Sequence, residues 1–107
     1  MNTKLTFFVG LNDKDSHIQA IPTLEASRIV ERVFLAHDCD GATISSGRGI
    51  YRHENGDVVV EETLIVQVFE FEGCAAVDVR GICDALKVAL NQESIAVERR
   101  QTDSALY

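Results

Sequence analysis

Long apolar runs, the pattern of an export leader at the start, paired cysteines and clustered basic residues are not found in these 107 residues, and each absence lowers the expectation of a class of function. No stretch reaches the roughly 20 apolar residues that a helix needs to span a bilayer. The start, "MNTKLTFFVGLND", has no charged lead, apolar centre or small-residue cleavage site. The expectation is a cytoplasmic chain with no membrane partner. Cys39, Cys74 and Cys83 are odd in number and have no C-x-x-C spacing, which argues against a disulfide scaffold or a four-cysteine zinc site and for reduced thiols. Cys83 reads as a buried, inert thiol. Seventeen acidic residues face ten basic ones for a formal charge of −7, and no basic cluster exceeds Arg99-Arg100. That field repels phosphate backbones, so no nucleic-acid partner is expected, while a basic protein partner stays compatible with it.

What is present suits a single domain over residues 1–107, since 46% of the residues are hydrophobic and a chain of this size can enclose a core. "LTFFVGL", Leu5 to Leu11, is continuously apolar, as in a central strand. From Thr23, expected to cap it, "TLEASRIVERVFLAHD" carries Ala26, Ile29, Val30, Val33 and Phe34 at the spacing of one buried helix face. Ala42 to Arg52 and Asp57 to Glu72 are strand-like and flank Asn55-Gly56, a hairpin signal because both residues tolerate positive φ. A second helix is expected from Cys74 to about Leu90 on the stripe Val79, Ile82, Cys83, Leu86 and Leu90, with Gly81 inside it. Ser94 to Arg100 reads as the last strand, and residues 101–107 as a polar tail or intersubunit arm. The order β-α-β-β-α-β predicts an α+β, ferredoxin-like split β-α-β fold, with both helices on one face of a four-stranded antiparallel sheet.

Such a sheet has an uncovered face. Alternation sends Leu64, Val66 and Val68 toward the helices, and Glu61, Thr63, Ile65, Gln67, Phe69 and Phe71 away from them. Ile65, Phe69 and Phe71 are too apolar for a face left in water, which predicts a homo-oligomer built on that face. Thr43, Ser45 and Tyr51 share it with Glu61 and Gln67, a set that could bind a small metabolite between subunits, with Tyr51 as hydrogen-bond donor and Glu61 as carboxylate. The competing account is a polar network that only specifies assembly.

Other candidates carry less. "SGRG" lacks the length and lysine of a phosphate-binding loop. Gly47 and Gly49 suggest a bulge, with Arg48 exposed at the rim and able to clamp a planar anion. "DKDSH" and "HDCD" contain Asp13, Asp15, His17, His37, Asp38, Cys39 and Asp40, but match no calcium or zinc pattern, so no metal and no cofactor is expected. Cys74, placed at a helix start, is the one cysteine with an activating environment, and no base stands beside it by local pattern. Three functions follow: a binding or regulatory module, a cofactor-independent isomerase or oxygenase using Tyr51 and Glu61, or a structural protein without a ligand.

The elements "FFVGL", "DGATISSGRGIY" and "NGDVVVEETLIVQVF" resemble a poorly characterised family of small bacterial proteins with a ferredoxin-like fold. The resemblance rests on Gly10, Leu11, Gly41, Thr43, Gly49, Tyr51 and one of Glu61 or Glu62, with Val9 standing between Phe8 and Gly10. The expected fold is also similar to that of small trimeric signalling proteins that bind nucleotides between subunits, and of dimeric α/β-barrel oxygenases. One scaffold serves many functions, so these likenesses concern the fold.

Overall fold

The structure, a computed structural model, describes residues 2–107. Its elements are β1 (Asn2–Gly10), α1 (Thr23–Ala36), β2 (Thr43–Arg52), β3 (Val58–Glu70), α2 (Val79–Ala89) and β4 (Ala96–Thr102). The four strands form one antiparallel sheet in the order β2-β3-β1-β4, the ferredoxin-like arrangement expected from the chain. Alternation decides the faces. Leu5, Phe7 and Val9 of β1 and Leu64, Val66 and Val68 of β3 are buried together with Ala26, Val30 and Phe34 of α1 and Ile82 and Leu86 of α2. Both helices therefore cover one face, and Phe7 meets Phe34 edge to face at 5.0 Å between ring centroids.

Several local expectations are corrected. Pro22, not Thr23, holds the N-cap position of α1, and no side chain caps it. The Thr23 hydroxyl instead donates to Glu62 Oε2 at 3.2 Å, tying the helix start to β3. Helix α2 begins at Val79 rather than Cys74, because the Asp78 side chain accepts from the Gly81 N–H and caps it there. Cys74 consequently sits in an exposed turn after β3 and not at a helix start. Strand β4 includes Gln101 and Thr102, which pair with Thr3 and Asn2, so the tail starts at residue 103. The register of β2 against β3 is continuous from Thr43↔Gln67 to Arg52↔Val58, and Gly47 and Gly49 make no bulge.

The β2–β3 turn uses three residues, 54–56. Gly56 alone takes positive φ, at 94°, while Asn55 Oδ1 accepts from the Asp57 N–H; glycine in the left-handed position is what this loop length requires. The hairpin reaches beyond the helices, leaving Ile50, Val58 and Val60 exposed on the helix side of the sheet. Among the described residues, no helix is long and apolar enough to cross a membrane.

Candidate functional site

The open face carries Lys4, Thr6, Phe8 and Gly10 from β1, Glu61, Thr63, Ile65, Gln67 and Phe69 from β3, and Tyr51 from β2, as the strand registers dictate. The residues suspected from sequence separate into two regions on it. Tyr51 and Glu61 meet in a recess of about 410 Å³ at the end of the sheet near the β1–α1 and α2–β4 loops, with Phe8, Asn12, His17, His53 and Gln92 also in its wall. Thr43 and Gln67 border a different recess, of about 430 Å³, beside Phe69 and Phe71. Ser45 lies exposed next to Ile65, between the two. Arg48 stands opposite Glu62 in the strand register, on the helix side of the sheet and so on the face away from Tyr51 and Glu61.

Within the Tyr51–Glu61 recess the carboxylate is held in a defined place. Asn12 N–H donates to Glu61 Oε2 at 2.8 Å. The same carboxylate lies across Gly10, where an added Cβ would stand 2.6 Å from it. Glycine at this point of β1 is thus a space requirement: only a residue without a side chain admits the carboxylate. Glu61 is half-buried, with its other oxygen free of protein donors among the described residues. Three rings line the same recess. Tyr51 and His53 meet edge to face at 5.3 Å between centroids, and His53 and His17 at 6.1 Å. An aromatic wall beside an anchored carboxylate suits a small ligand with a cationic or polar pole and a flat apolar part.

The loops around this recess are cross-tied. Asn91 Nδ2 donates to Asp13 Oδ1 at 2.6 Å and to Asp15 Oδ2 at 2.9 Å. The Asn91 amide, followed by the Ser16 and Asp15 N–H groups, holds the Asp13 carboxyl down at about 2. Asp13 and Asp15 therefore act here as loop fasteners. Among the described residues, no group of three or more His, Cys, Asp and Glu is placed to hold a metal ion. Burial pushes the Cys83 and Cys39 thiols up, which disfavours the thiolate and any nucleophilic role.

The apolar part of the face is exposed as well. Phe69 stacks on Phe71 at 5.8 Å with Lys4 Nζ over its ring at 5.7 Å, while Phe8 stands beside Ile65. Phe69 remains 50% and Phe8 41% exposed in the single chain. Strand alternation in the sequence places Tyr51, Glu61 and the apolar residues on the open face, where the registers put them. Asn12, His53 and Gln92, which reach the recess from loops, escaped that pattern, and His17 stood among the metal candidates. The signal for Asn12 was Gly10, two residues earlier, already noticed as part of a motif.

No family model matches the chain, and no curated protein matches it. Among solved structures, a phage SAM lyase in complex with S-methyl-5′-thioadenosine is similar at a TM-score of 0.66 and 23% identity, over 94% of this chain and 81% of that one. A phage SAM lyase in its apo state is similar at a TM-score of 0.62 and 24% identity, over 92% and 78% of the two chains. Identity at this level establishes a shared fold, and the chain has the ferredoxin-like fold of these two structures.

Proposed function

We propose that this protein binds S-adenosylmethionine in the Tyr51–Glu61 recess and cleaves it to S-methyl-5′-thioadenosine, the compound held by the similar phage lyase. The observation that carries this reading is the Glu61 carboxylate, fixed across Gly10 by the Asn12 N–H beside the Tyr51, His53 and His17 rings. The proposed substrate has a flat adenine, a sulfonium and an ammonium group, which match an aromatic wall and an anchored carboxylate in an acidic chain. Formation of S-methyl-5′-thioadenosine breaks the bond from sulfur to the four-carbon amino-acid chain. The substrate's own carboxylate oxygen attacks the carbon attached to sulfur and closes a lactone, while the electron pair of the breaking bond stays on sulfur, which leaves as a neutral thioether; no proton, oxidant or second substrate is consumed. Such a reaction needs no cofactor. Glu61 pairs with the cationic pole and orients it, and the Tyr51 hydroxyl donates a hydrogen bond to the polar end of the ligand. This assigns to Tyr51 and Glu61 the site that the isomerase or oxygenase reading had also given them.

The active form in this proposal is a homo-oligomer. The apolar residues Phe8, Ile65, Phe69 and Phe71 on the open face support it, because burying them against a second copy removes a patch that water disfavours. The assembly also encloses the recess, which is open in one chain. Titration calorimetry with S-adenosylmethionine and with S-methyl-5′-thioadenosine tests the binding claim. The expected result is binding of both by the wild type and loss of at least tenfold in affinity in Glu61→Gln for the charged ligand; binding of neither overturns the proposal.

A further inference from the structure

We infer that Gln92, from the loop after α2, is a positioning residue for Glu61, acting through the backbone of Asn12. The inference rests on the proposed role of Glu61 in the recess and adds to it a residue on a distant part of the chain. Gln92 is one of two buried polar side chains among the described residues, at 8% exposure. Its Nε2 donates to the Asn12 carbonyl at 2.7 Å and to the Leu90 carbonyl at 3.3 Å. Asn12 in turn presents its N–H to Glu61 Oε2 at 2.8 Å. Two hydrogen bonds thus connect a buried amide to a carboxylate 31 positions earlier in the chain, with Asn12 as the link. A buried amide donor that finds its acceptors is held in one place, and leaving that carbonyl without its donor is costly.

The surrounding ties restrain the same segment. Leu11 N–H donates to the Glu62 carbonyl at 3.0 Å and Lys14 N–H to the Asn91 carbonyl at 3.0 Å. The Asp13 N–H, in the same peptide as the Asn12 carbonyl, donates to the Ile18 carbonyl at 2.8 Å, and Gln92 supplies the side-chain donor to that carbonyl of Asn12, on the side of Asn12 away from Glu61 in the chain of bonds. A shift of the Asn12 segment would carry its N–H away from the Glu61 carboxylate, which has no second donor among the described residues. The Glu61 carboxylate thus takes its direction from Asn12, and Gln92 adds a buried side-chain tie to the backbone bonds that place Asn12.

The test has a readout that needs no ligand. The amide proton of Asn12, followed by NMR across the ionisation of Glu61, is expected to shift with pH in the wild type and to lose that shift in Glu61→Gln. In Gln92→Met, which keeps length and burial but removes the donor, the shift is expected to fall by more than about half, with the amides of Ala26 and Ile82 unchanged as evidence of an intact fold. Turnover of S-adenosylmethionine is expected to fall about tenfold or more in kcat with KM within about threefold. Gln92→Glu, which replaces the donor with an acceptor, is expected to do the same, and it decides the question if the methionine variant does not fold. An Asn12 amide that does not respond to Glu61 overturns the linkage. A response or a kcat in both Gln92 variants equal to wild type overturns the positioning role. If the wild type neither binds nor cleaves S-adenosylmethionine, the function proposed above fails, and the amide titration still decides whether Gln92 places Glu61.

Discussion

The carboxylate of Glu61 on β3 lies across the backbone of Gly10 on β1, so close that a β-carbon at Gly10 would stand 2.6 Å from it. The obstacle would be the far end of a flexible side chain, which can turn away at little cost. Gly10→Ala is therefore expected to change stability by less than about 1 kcal/mol while displacing the carboxylate from the Asn12 N–H. Chemical denaturation and ligand titration on the same sample check this: near-wild-type unfolding with affinity for S-adenosylmethionine lowered about tenfold is the expected pair of results.

That contact marks how far the sequence could be read. The order of elements, the faces of the β3 residues and the placing of Tyr51 and Glu61 on the same side of the sheet followed from a period of two and from Asn55-Gly56. These features depend on neighbours along the chain. The start of α2 was misplaced because apolar residues at 75–77 continue the stripe of the helix, whereas Asp78 terminates it by capping Gly81. Gly47 and Gly49 suggested a bulge that an unbroken register rules out. The Asn12–Glu61 and Gln92–Asn12 contacts join segments 49 and 80 residues apart, and no local pattern encodes such distances.

Gly81 stands where a helix usually gains from alanine, by about 1 kcal/mol. Here a Cβ would overlap the Asp78 carboxylate and stand 2.9 Å from His37 Cε1. Asp78 caps α2 and meets His37 Nδ1 at 3.1 Å, and loss of an N-cap costs about 1 kcal/mol. The two effects cancel, so Gly81→Ala is expected to show no stabilisation in thermal melts, in contrast to Gly-to-Ala changes at unobstructed helix positions.

Asp13 supplies a pH dependence. Its folded-state value of about 2 lies below the ordinary 3.8, chiefly because of the Asn91 amide and then the Ser16 and Asp15 N–H groups. A lowered carboxyl stabilises the fold above its unfolded value and loses that contribution as pH falls through the folded one. Asp13→Asn is therefore expected to be less stable than the wild type at pH 5, with the difference closing as pH drops from about 4 to about 2. Urea unfolding at several pH values reads it directly, and a difference that stays constant over that range contradicts the assignment.

The proposed assembly through the open face would make Phe69 and Arg48 unequal. A charge at Phe69 would have to be desolvated in an apolar interface, whereas Arg48 lies on the other side of the sheet. Phe69→Glu is expected to shift the sedimentation profile toward the single chain at concentrations where Arg48→Glu leaves it unchanged. Equal profiles for the two variants, or a wild type that stays a single chain at high micromolar concentration, would remove the open face as the interface.

The central claim is tested most directly by incubating the protein with S-adenosylmethionine and following S-methyl-5′-thioadenosine by mass spectrometry, with Glu61→Gln in parallel. The account predicts that the thioether accumulates with the wild type and that its rate of formation falls about a hundredfold in Glu61→Gln, with the variant folded. Absence of the thioether with the wild type, or equal rates for the two proteins, would contradict it.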